Sequence, residues 1–295
     1  MFAQLLGNPV IAIAFVVLVV VVIGGIANAV NTARRAALTK ATTTPLMQAA
    51  IDGDVEQVTQ LLAEGGDVNV ATALGDTPLM FAARHSRSEV ARLLIDEGAD
   101  IDAQSDEEKT ALILAIEGGD TETARLLIEK GAELDIVYRD PESHLVHWTA
   151  LTRAIREGDT ETAKLLIEKG ARLDIPETLT PLDQAVFWGN LAVAQLLLAH
   201  GVVPSDSDLQ SAAEHRDTEM ARLMIEGGAN VNGYAHEGNS ALHRAAKSGN
   251  AEMVRLLIDN GANVNKKDAS GIRPLNKAKR GDTAVRELLQ QAGAK

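Results

Sequence analysis

The chain repeats itself about every 33 residues, and this period restricts its fold more than any single motif does. A leucine closing a Thr-Pro-Leu-like triplet recurs at Leu46, Leu79, Leu112, Leu151, Leu182, Leu209, Leu242 and Leu275, with intervals of 33, 33, 39, 31, 27, 33 and 33. A glycine keeps step with it, at Gly65, Gly98, Gly131, Gly170, Gly201, Gly228, Gly261 and Gly293. Self-similarity on this scale marks a solenoid, in which a short unit buries its apolar face only by stacking on its neighbours. Within a unit, Thr or Ser before Pro suits a helix N-cap followed by Pro at the first helical position, where a missing N–H costs nothing. Ala pairs (Ala49-Ala50, Ala82-Ala83, Ala212-Ala213, Ala245-Ala246) let adjacent helices approach closely. A Leu-Leu-Ile run gives a second helix its apolar face, and the glycine after it suits the left-handed conformation that ends a helix.

Two copies are especially clear. One runs Gly75-Asp76-Thr77-Pro78-Leu79-Met80-Phe81-Ala82-Ala83, then Glu89 to Ile95, then Gly98-Ala99-Asp100-Ile101-Asp102. The other runs Gly238-Asn239-Ser240-Ala241-Leu242-His243-Arg244-Ala245-Ala246, then Glu252 to Ile258, then Gly261-Ala262-Asn263-Val264-Asn265. This pattern resembles the ankyrin repeat, and eight copies cover 44–295. The resemblance implies an all-α ankyrin-repeat solenoid of about eight helix-turn-helix units joined by β-hairpin loops, and a protein-binding role for the concave face.

The irregular intervals locate departures from the pattern. The 39-residue spacing comes from an insertion at 136–147, and the 27-residue spacing places Val202 to Asp208 where a hairpin would stand, which predicts a truncated loop. In the last copy Lys279 and Arg280 replace core-like alanine, as expected of a capping repeat with a polar outer face.

Ahead of the repeats, Val10 to Ile23 is fourteen apolar residues without interruption, and 1–33 contains no charged residue or histidine. Pro9 to Val30 as a helix would be about 33 Å long, enough to cross a ~30 Å hydrocarbon core. One N-terminal transmembrane helix is therefore expected at 1–33, with Val10, Phe15, Leu18, Val22 and Ile26 in the bilayer, followed by a linker at 34–43. The basic residues Arg34, Arg35 and Lys40 follow the apolar run, which places the repeat domain on the cytoplasmic side of the cell (inner) membrane. The alternative is export: Ala27-Asn28-Ala29 is a small-x-small triplet of the kind cleaved after a signal peptide. An exported, periplasmic chain would resemble the bacterial ankyrin proteins that assist a partner enzyme in stress protection.

Charge and composition narrow the function. Lys plus Arg number 28 against 41 Asp plus Glu, a net charge of −13, with eight aromatic residues in all. Phosphate-backbone binding depends on basic side chains and single-strand binding on stacking platforms, so no nucleic-acid partner is expected. The balance is uneven, since 266–295 carries eight basic and three acidic residues, a local +5, which leaves −18 for 34–265. The absence of cysteine excludes disulfides, thiolate catalysis and Cys-based metal sites.

No phosphate loop of the G-x-x-x-x-G-K-[ST] type, no H-E-x-x-H and no G-x-S-x-G occurs, so a non-enzymatic chain without cofactor or metal is expected. His144 and His147 beside Asp140 and Glu142 read as a solvated loop. The recurring Gly-Asp pairs (Gly53-Asp54, Gly119-Asp120, Gly158-Asp159, Gly281-Asp282) read as the turn between paired helices. The residues after the Ala pair are mostly polar, as with Arg84 and His85 or Lys247 and Ser248, but the fifth copy has Phe187 and Trp188 there. Trp, Tyr and Arg dominate binding hot spots. Trp148, Phe187 and Trp188, flanked by Arg153, Arg156, Tyr138, Tyr234 and His236, are therefore the candidate partner-binding patch. The competing reading is that the 136–147 insertion folds over the groove and is packed by these aromatics.

Overall fold

The computed structural model describes residues 43–139, 147–174, 180–234 and 238–295. These form two compact parts, one ending at Asp106 and one running from Glu107 to Lys295. The first holds two helix pairs: α1 (Pro45–Asp52) with α2 (Val55–Ala63), and α3 (Pro78–Arg84) with α4 (Ser88–Asp96). The second holds six: α5 (Ala111–Glu117) with α6 (Thr121–Glu129), α7 (Ala150–Glu157) with α8 (Thr160–Glu168), α9 (Pro181–Phe187) with α10 (Leu191–Ala199), α11 (Asp206–His215) with α12 (Thr218–Glu226), α13 (Ala241–Ser248) with α14 (Ala251–Asp259), and α15 (Pro274–Lys277) with α16 (Thr283–Gln291). Sixteen helices in eight pairs, among the described residues, realise the expected all-α repeat array.

Most of the helices start where a side chain satisfies an orphan amide of the first turn, whereas Arg87, Arg273 and Asp282, ahead of α4, α15 and α16, make no such bond. Thr44, Thr77, Thr110, Thr149, Thr180 and Ser205 accept from the amide three residues on at 3.1–3.4 Å. The second helices use the residue after the turn: Asp54, Asp120, Asp159, Asn190, Asp217 and Asn250 accept at 2.9–3.2 Å. Gly53-Asp54, Gly119-Asp120 and Gly158-Asp159 are thus a turn followed by an N-cap, and such a cap contributes about 1 kcal/mol. The eight periodic glycines all lie at φ between 85° and 96°, past the end of the second helix, where a side chain would be strained.

In each part the first helices pack side by side, α1 on α3 in one and α5 through α15 in sequence in the other. The second helices form a parallel rank, α2 on α4 and α6 through α16. The alanine pairs sit between first helices and are fully buried. Without side-chain bulk there, backbones approach closely, and the Leu and Ile of the second helix close the layer behind them.

Among the described residues, three connections are tied by an asparagine side-chain clip. The Asn69 side-chain amide donates to Gly98 O at 3.3 Å while its Oδ1 accepts from Asp100 N at 2.7 Å. Asn232 does the same with Gly261 and Asn263, and Asn265 with Gly293 and Lys295. Among the described residues a strand ladder occurs only in the insertion, where β1 (Tyr138–Arg139) pairs antiparallel with β2 (His147–Trp148), Tyr138 opposite Trp148 and Arg139 opposite His147.

Two expectations need adjustment. The segment Val202 to Asp208 is not all loop: Ser205 and Asp208 form a capping box, so α11 already begins at Asp206 and the connection shrinks to Val202–Ser205. The last first-rank helix, α15, has only four residues, and Arg286 donates to Leu275 O and Ala278 O at 3.2 and 3.5 Å, satisfying its open end. The expected membrane helix over 9–30, with Val10, Phe15, Leu18, Val22 and Ile26, lies outside the described residues, as do Asp140, Glu142 and His144. Among the described residues no helix is long and apolar enough to cross a membrane.

Candidate functional site

The structure divides the predicted patch into a buried foundation and an exposed pair. β2 ends at Trp148 just before the N-cap Thr149, so strand pairing and helix start together fix this indole inward, 5% exposed. Its cross-strand partner Tyr138 is 0% exposed. Neither ring offers a surface to a partner. This corrects their assignment as contact residues, and the reason is register: directly opposed residues of an antiparallel pair share one face, and here that face is the inner one.

Arg153 belongs to the same foundation. Its guanidinium reaches Glu117 at 3.4 Å, Glu157 at 2.9 Å and Tyr138 Oη at 3.4 Å, and Lys109 meets Glu117 at 3.0 Å. Burial works against its charge, but Glu117, Tyr138 and Glu157 together outweigh it and hold the guanidinium above its ordinary range. A network of this kind fixes α5, α7 and β1 relative to one another.

Arg156, three residues on, turns outward. Its guanidinium lies 4.9 Å from the centre of the Trp148 ring, a cation–π stack. Arg156, Glu157 and Gly158 then share a groove of about 370 Å³ with Trp188, Gly189 and Asn190. The helix turns of the fourth and fifth repeats form its walls.

Phe187 is the last residue of α9 and Trp188 is its C-cap, 52% and 50% exposed. Both are held. The Trp188 indole N–H donates to Gln184 Oε1 at 3.0 Å, one turn back. The two rings stand edge to face at 5.0 Å, and His215, at the end of α11, closes on Phe187 at 5.1 Å. Edge-to-face geometry adds about 0.5–1.5 kcal/mol beyond area burial. The result is an ordered apolar surface beside a cationic one.

Tyr234 is exposed but stands apart, its hydroxyl on Lys267 O at 3.4 Å and the Lys266 ammonium over its ring. His236 lies outside the described residues. Gln184 and His215 were not singled out from sequence. The signal for Gln184 is its position four residues before an exposed Trp, and for His215 its equivalence to Trp188 in the next repeat.

The family model for ankyrin repeats (3 copies) matches residues 46–140, 137–208 and 209–268. The fold is similar to the crystal structure of the human ASB11 ankyrin repeat domain, with a TM-score of 0.50 and 23% identity, over 86% of this chain and 99% of that one. No curated protein matches the sequence.

Proposed function

Because the chain belongs to the ankyrin-repeat family, whose members serve as protein–protein interaction modules, we propose that it is a membrane-tethered, non-enzymatic module holding a protein partner, or a membrane complex, at the ends of α7, α9 and α11. The observation that carries this reading is the pair Phe187 and Trp188, half exposed yet fixed by Gln184 and His215. A large apolar surface that is already ordered loses little entropy on binding. Arg156 and Glu157 supply a polar rim along the adjoining groove.

Tethering rests on the apolar run Val10 to Ile23, and the cytoplasmic placement on Arg34, Arg35 and Lys40. A bilayer anchor raises the partner's effective concentration at the surface. The deciding experiment is photo-crosslinking from position 188 in intact membranes. A discrete protein adduct that disappears with Phe187→Ala is expected; uniform labelling, or none, removes the proposal. A reporter fused after Lys295 reads the topology. Activity only outside the cytoplasm, or a mature N-terminus at Val30, favours the exported reading, in which the chain assists a partner enzyme.

A further inference from the structure

The shortened connection Val202–Ser205 leaves a cleft of about 530 Å³ on the loop side of the fifth and sixth repeats. Asp174, at the cleft's edge, occupies the motif position held elsewhere by Asn69 and Asn232. Its side chain is 88% exposed and reaches only Arg172, at 3.7 Å.

The walls are Leu173, Leu182, Val202 and Val203, and the floor carries Asp183 and Asp208. Both carboxylates are half used. Asp208 Oδ2 accepts from Ser205 N and Oγ, each at 2.7 Å, and Asp183 Oδ2 accepts from Thr180 N at 3.1 Å and Oγ at 2.7 Å. Asp208 is 3% exposed, and its Oδ1 has no hydrogen-bond partner among the described residues. Burial, reinforced by the neighbouring Asp183 and opposed by the Ser205 hydrogen bonds, pushes its carboxyl up to about 6. Among the described residues no lysine or arginine lines the cleft, and the one histidine there, His200, turns its Nδ1 to Leu196 O at 2.9 Å.

We infer that this cleft receives a lysine side chain of a protein partner, the methylene stem along Leu173, Leu182, Val202 and Val203 and the ammonium against Asp183 and Asp208. Lysine combines an apolar stem with a compact charge, which is the composition of these walls and this floor. Arginine fits less well, because its fork seeks two oxygens of one carboxylate and each Oδ2 is committed to a capping box. A hard divalent ion takes about six to eight oxygens, and two half-used carboxylates fall short.

The inference rests on the reading of the chain as a protein-binding module, but its test needs no partner. The full chain, methyl-labelled and in mild detergent, is titrated with Nα-acetyl-lysine amide, with its Nε-acetylated form, and with Nα-acetyl-arginine amide, while the Leu182, Val202 and Val203 methyl resonances are followed. A saturable shift is expected with the lysine amide, weaker by about tenfold with the other two, and weaker by about tenfold in Asp208→Asn. Asp183→Asn serves as the second variant should Asp208→Asn lose its folded spectrum. Equal response to all three probes, no saturable response, or a response unchanged in both variants overturns the assignment. Crosslinking from position 188 succeeds or fails independently of these probes, so the two readings fall separately.

Discussion

Phe187 and His215 meet edge to face, 5.1 Å between ring centres, each at the C-terminal end of a first-rank helix in consecutive repeats. The relationship makes an exposed aromatic part of the stack. Phe187 is held by the next repeat, and Trp188 by Gln184 within its own helix. The proposed contact surface is therefore built before any partner arrives.

The two tryptophans report on opposite environments. In Trp188→Phe the remaining Trp148, 5% exposed, is expected to resist acrylamide quenching several-fold better than the remaining Trp188 in Trp148→Phe. Quenching of similar efficiency in the two variants contradicts the division into foundation and surface.

Removing the Arg153 guanidinium leaves Glu157 without this cation and Glu117 with Lys109. Arg153→Ala is expected to destabilise by about 1–2 kcal/mol, because Glu117, Glu157 and Tyr138 each lose a partner at a half-buried guanidinium. Arg153→Lys, which keeps the charge but loses the fork, is expected to recover part of this in urea unfolding. A change within about 0.5 kcal/mol, the usual range of surface substitutions, would show the network to be solvated.

Asp208 ties stability to pH in a defined direction. Its carboxyl is raised from 3.8 to about 6 by burial, so the folded chain holds a proton that the unfolded chain has released. The contribution is fully present below the unfolded value, and is lost as pH rises through the folded one, up to about 3 kcal/mol in all. Asp208→Asn mimics the protonated form. Its stability relative to the parent is expected to grow from pH 4 to pH 6 and then level off. A gap between the two urea midpoints that does not change with pH contradicts this account.

Gly131, at φ 92°, has nothing within 4 Å of where a Cβ would sit. Any cost of Gly131→Ala is thus backbone strain alone, about 1 kcal/mol, and Gly131→Asn, which tolerates the left-handed region better, is expected to cost less. Equal stability of glycine and alanine in thermal melts would show that the turn relaxes.

The Asn232 clip is a two-way hydrogen bond between successive connections, at 2.9 and 2.8 Å. Asn232→Ala is expected to cost about 1–2 kcal/mol and to speed hydrogen exchange at the Asn263 amide. Unchanged protection there would assign the order of the connection to backbone bonds alone.

The sequence by itself determined the repeat, the helix pairs and their caps, because these are local: a Thr before Pro, an Asp after Gly and a glycine past the last turn act within a few residues, and the 33-residue period shows them eight times. It also located the two irregular connections by arithmetic. The tertiary structure alone decided what became of them. Tyr138 and Trp148 looked like contact residues and are buried, because a strand register across ten residues turned both inward together. Phe187 and Trp188 stayed outside and gained order from Gln184 and His215, whose roles appear only when consecutive helices align. Asp183 and Asp208, 25 apart in the chain, are neighbours over a cleft beside the shortened connection Val202–Ser205, a pairing that nothing local in the sequence signals. Caps and periods are set by short-range sterics and hydrogen bonding, whereas burial and charge pairing belong to whichever surfaces the stack brings together.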